Sequence, residues 1–139
     1  LRLPWVGREE KRLQQTAWEL IEYLEVGDYA YEPAGGLPFG IQKRVELARA
    51  IASEPELLLL DEPAGGLNHD EVDNLVGTLR QIAHDRDITV LLVEHHMSLV
   101  MAVSDIVVAI DFGRKIAEGT PGDVQRDEAV ITAYLGTSG

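Results

Sequence analysis

The sequence predicts an α/β fold, and three features carry this prediction. Two short apolar segments, 57–60 and 88–93, do not alternate with polar residues, which is typical of strands buried on both faces of a parallel sheet. A helix-length segment lies between them, as a crossover between parallel strands requires. The first third of the chain has only helical patterns. We therefore predict a partial helical subdomain over residues 1–53 and an α/β core over residues 54–139.

Two helices are predicted in the first part of the chain. The first covers residues 9–24 and should bury one apolar face, made of Leu13, Ala17, Leu20, Ile21 and Leu24. A glycine-rich loop at 33–36 leads to the second, over residues 40–52. Its expected inward residues are Val45, Ala48, Ile51 and Ala52.

The remaining elements are predicted from local signals. Asn68 and Glu71 have the spacing of a capping box, which begins a helix that ends near His84. A short helix over 98–103 and a hairpin of 106–110 with 115–117 follow the second strand. Pro121 is expected at the first position of one last helix, which ends near Leu135 with Gly136 at its C-terminus.

Composition limits the possible partners. The 139 residues carry 24 acidic and 12 basic side chains, a formal net charge of −12, which argues against nucleic acid and against adsorption to anionic lipid. The chain has no cysteine, so disulfides and thiolate metal sites are excluded. No apolar run is long enough to span a bilayer, and no signal peptide is recognisable. The chain begins with Leu1 rather than methionine, and we expect it to be part of a longer protein.

The sharpest chemical feature is a pair of carboxylates, Asp61 and Glu62, directly after the first apolar strand. Ligands of parallel sheets bind at the carboxyl ends of the strands. Phosphoryl transfer needs one carboxylate to hold Mg²⁺ and another group to orient the attacking water, so Asp61 suits the first role and Glu62 the second. The same pair also fits an ordinary turn after a strand, and the local pattern leaves both interpretations open.

Two further elements point to phosphate chemistry. His95 follows the second strand, where it suits contact with a γ-phosphate, although taken alone it fits a solvated histidine at a strand end better. We discount a metal site at His95 and His96, because adjacent residues rarely point at one ion. The segment 37–42 opens directly into a helix, whose first amides can bind phosphate or simply begin a helix.

Together, these elements resemble the ATP-binding cassette (ABC) family over essentially the whole chain. Residues 57–61 look like the Walker B strand, 64–68 fall at the D-loop, and His95 at the switch histidine. The signature-loop position is occupied by Leu37, Pro38, Phe39, Gly40, Ile41 and Gln42. The stretches EPAGGLN, LLVEHHMSLVM and GTPGDV most resemble the importer ATPases for branched-chain amino acids, with urea and amide importers close behind.

The resemblance implies a P-loop NTPase-type sheet, ATP and Mg²⁺ as ligands, and a head-to-tail pair of ATPase subunits. In that pair Asp61 helps position Mg²⁺, Glu62 is the catalytic glutamate and His95 contacts the γ-phosphate. The signature loop and Asn68 serve ATP bound by the second subunit. The family further implies transmembrane permease subunits as partners, a solute-binding protein acting indirectly, and a cytoplasmic location on the inner face of the membrane.

The sequence departs from the family pattern in two ways. Of the usual Leu-Ser-Gly-Gly-Gln signature only Leu37 and Gly40 remain, and His96 replaces the acid that usually follows the switch histidine. No Walker A motif, Gly-x-x-x-x-Gly-Lys-Ser/Thr, occurs in the 139 residues. We therefore expect this chain alone not to bind ATP, and we expect its sheet to lack central strands and to expose an edge and apolar surface.

Two alternatives remain open. One is an ABC-type ATPase of DNA repair or translation, which the acidic balance disfavours. The other is a non-catalytic docking or regulatory module, against which the retention of Asp61, Glu62 and His95 argues.

Overall fold

A computed structural model describes residues 4–135, with side chains described from 7 to 134. Gly136, the expected end of the last helix, lies outside them. The helices are α1 (Pro4–Tyr23), α2 (Phe39–Ile51), α3 (His69–Arg86), α4 (Met97–Val103), α5 (Pro121–Arg126) and α6 (Glu128–Val130). The strands are β1 (Leu57–Asp61), β2 (Thr89–Val93), β3 (Val107–Asp111) and β4 (Arg114–Gly119).

The predicted α/β class is confirmed. Strands β1 and β2 pair in parallel, with Leu57 opposite Thr89 and Asp61 opposite Val93, and α3 forms the crossover between them. Strands β3 and β4 form a separate antiparallel hairpin. The parallel register brings the carboxyl ends of β1 and β2 to the same edge of the sheet.

The main hydrophobic core lies between the helices and one face of the parallel sheet. It includes residues from both sides of the predicted boundary at 53/54. Its buried members are Leu20, Leu24, Leu47, Ile51, Leu58, Ala64, Val72, Leu75, Leu79, Ile82, Ile88 and Leu99. Packing of this cluster positions the polar loops that follow β1 and β2.

Burial of the parallel strands on both faces was a wrong prediction. Side chains alternate across a strand, and in β1 Leu58 is buried while Leu59 is 64% exposed. Leu91 and Val93 of β2 are also exposed. Among the described residues the helices cover only one face, so the expectation of exposed apolar surface is confirmed.

Several helix details also differ from the sequence prediction. The start of α1 is earlier than expected, and its predicted inner residues Leu13 and Ala17 are exposed. In α2, Ala52 lies beyond the helix and is exposed, whereas Leu47 is buried. Leu13, Ala17 and Ala52 fall on the predicted apolar faces, but no described element packs over them.

The prediction of a single C-terminal helix was also wrong. It divides at Asp127, whose extended backbone ends α5 and whose side chain accepts the N–H groups of Ala129 and Val130 to begin α6. A π-helical turn, Ile131–Leu135, follows. The aspartate side chain can bond to nearby backbone N–H groups, and these bonds favour a helix start at Asp127 over a continuous helix through it.

Other local predictions are confirmed. Asn68 caps α3 by accepting the Glu71 N–H, and the Glu71 side chain accepts the Asn68 N–H in return. Thr120 caps α5 with Pro121 at the start of the helix.

Candidate active site

Glu62 lies at the edge of the sheet in a strained backbone conformation. Its φ is 45°, in the left-handed region that non-glycine residues rarely adopt. Its N–H donates to the Val93 carbonyl at 2.8 Å, which continues the β1–β2 pairing by one residue. Backbone strain of this kind persists only where the surrounding structure holds it in place, and it is common at functional sites.

Glu62 and His95 are brought together by the parallel register. The Oε1 atom of Glu62 lies 3.3 Å from Nδ1 of His95, although the residues are far apart in sequence. Both side chains are more than half exposed, so this edge is open to a ligand. Asp61 is also exposed, and its carboxylate has no hydrogen bond or ion pair within residues 7–134. Its hard oxygen atoms fit a magnesium ion.

Glu94, between β2 and His95, is a buried carboxylate. Its side chain has 0% exposure. Oε1 accepts the Ala64 N–H at 2.9 Å, and Oε2 accepts the N–H groups of His95 and His96 at 3.0 and 3.1 Å. Burial raises the pKa of Glu94, but these N–H donors and the His96 side chain lower it by more, so the net pKa is below its ordinary value.

Glu94, His95 and His96 offer atoms within 4.8 Å of one another, which is a possible metal cluster by distance alone. The imidazoles of His95 and His96 lie with centroids 4.8 Å apart, and Nδ1 of His96 is 3.3 Å from Oε2 of Glu94. Both oxygens of Glu94 already accept backbone N–H groups. The Glu94 carboxylate therefore binds backbone N–H groups, and this geometry does not favour a metal ion here.

The segment 37–42 forms a turn that begins α2. Leu37 is buried, Pro38 is the capping residue, and the Gln42 side chain donates to the Leu37 carbonyl at 2.8 Å. The amides of Ile41 and Gln42 both donate to the Pro38 carbonyl. Within the described chain the amides of Phe39 and Gly40 have no acceptor, so these are the free donors of the first turn.

This turn contacts the loop before α3. A β-carbon on Gly66 would lie 2.9 Å from Cε1 of Phe39, and one on Gly40 would lie 2.7 Å from Oε1 of Glu71. Glu71 is also the partner of Asn68 in the capping box. The two glycines thus permit close packing between the start of α2 and the start of α3.

The candidate residues therefore form two groups. Asp61, Glu62 and His95 lie at the sheet edge, and the turn 37–42 lies beside Asn68. In the part of the chain that the structure describes, no hydrogen bond or ion pair joins the groups. The sequence did not predict the contacts that Glu94 and Phe39 make. A carboxylate between a strand and two histidines is a weak signal for a loop anchor, and no spacing points to Ala64.

No helix among the described residues has the length and hydropathy needed to cross a membrane.

Two protein-family models match parts of this chain. Residues 3–65 match the model described as ABC transporter, and residues 114–139 match that described as branched-chain amino acid ATP-binding cassette transporter. Together the two matches account for most of the chain.

Curated relatives carry related descriptions. The chain is 40% identical over 133 residues to BraF of Pseudomonas aeruginosa and 36% identical over 136 residues to LivG of Escherichia coli K12, both high-affinity branched-chain amino acid transport ATP-binding proteins. These alignments cover 96% and 98% of the chain but 52% and 53% of the relatives. The chain thus spans about half the length of the curated relatives it matches.

Solved structures show the same fold. The ADP conformation of MJ1267, an ATP-binding cassette of an ABC transporter, aligns with a TM-score of 0.82 and 26% identity over 90% of this chain and 50% of that one. CbiO1 of Clostridium perfringens, part of the ABC transporter complex CbiONQ, aligns with a TM-score of 0.79 and 26% identity, covering 99% of this chain and 53% of that one. The chain belongs to the ABC transporter ATP-binding family and, within it, resembles the ATPases of branched-chain amino-acid transporters.

Proposed function

We propose that the complete protein that carries this chain is the ATP-hydrolysing subunit of an importer for branched-chain amino acids or related small polar solutes. The observation that carries the proposal is the 3.3 Å approach of Glu62 and His95 at the edge of a parallel sheet. Asp61 lies beside them, and its carboxylate has no partner within residues 7–134. The descriptions of BraF and LivG support the choice of solute.

Each side chain at the sheet edge has a role in hydrolysis. Asp61 holds Mg²⁺, which when bound neutralises charge on the phosphates. Glu62 orients water toward the γ-phosphorus: a bond from the water oxygen forms as the bond to the bridging oxygen breaks, ADP leaves, and a proton is released through the carboxylate to solvent. His95, whose Nδ1 faces Glu62, contacts the γ-phosphate.

The second group serves a neighbouring subunit. The amides of Phe39 and Gly40, which have no acceptor among the described residues, suit phosphate recognition without the serine of the usual signature. Asn68 sits in the adjoining loop. We propose that these residues close on ATP held by a second ATPase subunit in a head-to-tail pair. The separation of the two groups supports this assignment.

The complete protein acts at the cytoplasmic face of the membrane through permease subunits, and the solute-binding protein acts indirectly. Residues 1–53 form part of the helical subdomain that contacts the permease, and 54–139 form part of the ATPase core. The test is ATP hydrolysis by the assembled transporter in vesicles. We expect leucine with its binding protein to stimulate turnover; stimulation by none of the branched-chain amino acids, urea or amides would contradict the proposal.

The isolated 139-residue chain should not bind ATP, because it contains no Walker A sequence. Titration with a fluorescent ATP analogue tests this directly. We expect no saturation through the micromolar range, whereas a micromolar Kd would refute the expectation.

A further inference from the structure

The contact between Glu62 and His95 is too weak to fix the positions of the two side chains. Glu62 is 59% exposed and His95 62% exposed, and ion pairs between exposed groups contribute little to fixing a geometry. Each side chain extends from a loop rather than from within a strand. The backbone of both loops must therefore be held by another group.

Glu94 connects these two loops. Through Oε1 it holds the N–H of Ala64, two residues after Glu62, and through Oε2 it holds the N–H of His95 itself. The carboxylate is fully buried, so water does not compete for these bonds. The Glu94 side chain thus holds both the backbone that follows Glu62 and the backbone of His95.

We propose that Glu94 is a positioning residue for ATP hydrolysis, because it ties the turn after Glu62 to the loop that carries His95. This inference rests on the proposed function. Glu94 touches neither nucleotide nor water in this role; it acts through the placement of Glu62 and His95. Displacements of about 1 Å in such groups lower rates by about 100-fold.

The arrangement requires a carboxylate of this length. Glutamine has one acceptor oxygen, so its amide N–H groups would face the N–H groups of Ala64 or of the two histidines. Aspartate retains both oxygens but is one methylene shorter. It can still accept locally from the following amides, as aspartate does in turns, and it loses the link to Ala64.

The experiment compares Glu94→Gln and Glu94→Asp with wild type in the complete protein. Glu56→Gln is the matched control, since Glu56 is an exposed glutamate just before β1. Turnover, KM for ATP, the number of sites that bind a fluorescent ATP analogue, and hydrogen exchange of individual amides are measured. We expect kcat to fall about 10-fold or more in both variants while KM changes by less than about 3-fold.

Binding stoichiometry should be unchanged. Exchange should accelerate at Ala64 in the aspartate variant, and at either Ala64 or the two histidines, His95 and His96, in the glutamine variant. Near wild-type kcat in Glu94→Gln would overturn this inference alone. Loss of binding sites in parallel with turnover in both variants would assign Glu94 to fold stability and also overturn it. Wild-type protein without ATPase activity would instead overturn the proposed function, and this inference with it.

Discussion

The ring of Phe39 lies against the backbone of Gly66. A β-carbon at Gly66 would stand 2.9 Å from Cε1 of Phe39, and Gly66 has a φ of 81°. Phe39 occupies a position where the family signature usually has glycine. The contact therefore joins the turn at 37–42 to the loop before α3 in the same chain.

Gly66→Ala should destabilise the fold for two reasons. The positive φ costs about 1 kcal/mol for a residue with a β-carbon, and the contact with Phe39 adds an overpacking cost of about 1–3 kcal/mol. Denaturant unfolding followed by circular dichroism measures the change.

The double variant Phe39→Ala, Gly66→Ala separates these costs. Relative to Phe39→Ala alone, Gly66→Ala should then cost only the backbone part, about 1 kcal/mol. Equal costs in both backgrounds would show that the ring and the glycine are independent.

The strained backbone at Glu62 predicts that glycine at this position gives a more stable fold than alanine. With a φ of 45°, Glu62→Gly should give a fold about 1 kcal/mol more stable than Glu62→Ala, because both lack the carboxylate and only glycine relieves the strain. The free energies of unfolding of the two variants provide the measurement. An alanine variant as stable as the glycine variant would mean that no strain is stored there.

The lowered pKa of Glu94 predicts a pH-dependent contribution to stability. The group's ordinary pKa is 4.5, and the folded pKa is lower, so its stabilisation is complete above the unfolded pKa and is lost as pH falls through the folded value. At pH 7 Glu94→Gln should lose about 2 kcal/mol. This deficit should shrink as the pH falls below about 4.5. A deficit that stays constant with pH would contradict the charged, hydrogen-bonded state.

The turn between β3 and β4 predicts that asparagine at position 112 gives a more stable fold than alanine. Its two central residues, Phe112 and Gly113, have φ values of 43° and 76°, as a type I′ turn requires. Phe112 is 100% exposed, so it loses no packing on replacement. Phe112→Asn should raise the free energy of unfolding by about 1 kcal/mol relative to Phe112→Ala, since asparagine tolerates this conformation. An asparagine variant no more stable than alanine would contradict this account.

Local chemistry made part of this structure predictable. The reciprocal bonds of Asn68 and Glu71 depend on residues three apart, and the Asp111–Arg114 hairpin depends on its two central residues. Glu62, directly after β1, meets His95, after β2, because the carboxyl ends of parallel strands share an edge. These features follow from short spacings and one topological rule.

Features that depend on distant partners were not predictable. The apolar run of β1 does not indicate whether one face or two are covered, and only the packing distinguishes buried Leu58 from exposed Leu59. The bond from Ala64 to Glu94 joins loops 30 residues apart. No periodicity or spacing in the sequence records such a contact.

The proposed function depends above all on Glu62, which we propose orients the attacking water in the complete protein. The most direct test is the kcat of Glu62→Gln, with Glu56→Gln as a control for the loss of an acidic side chain. We expect kcat to fall by about 100-fold or more while the ATP analogue still binds with wild-type stoichiometry. Turnover by Glu62→Gln close to that of wild type would contradict it.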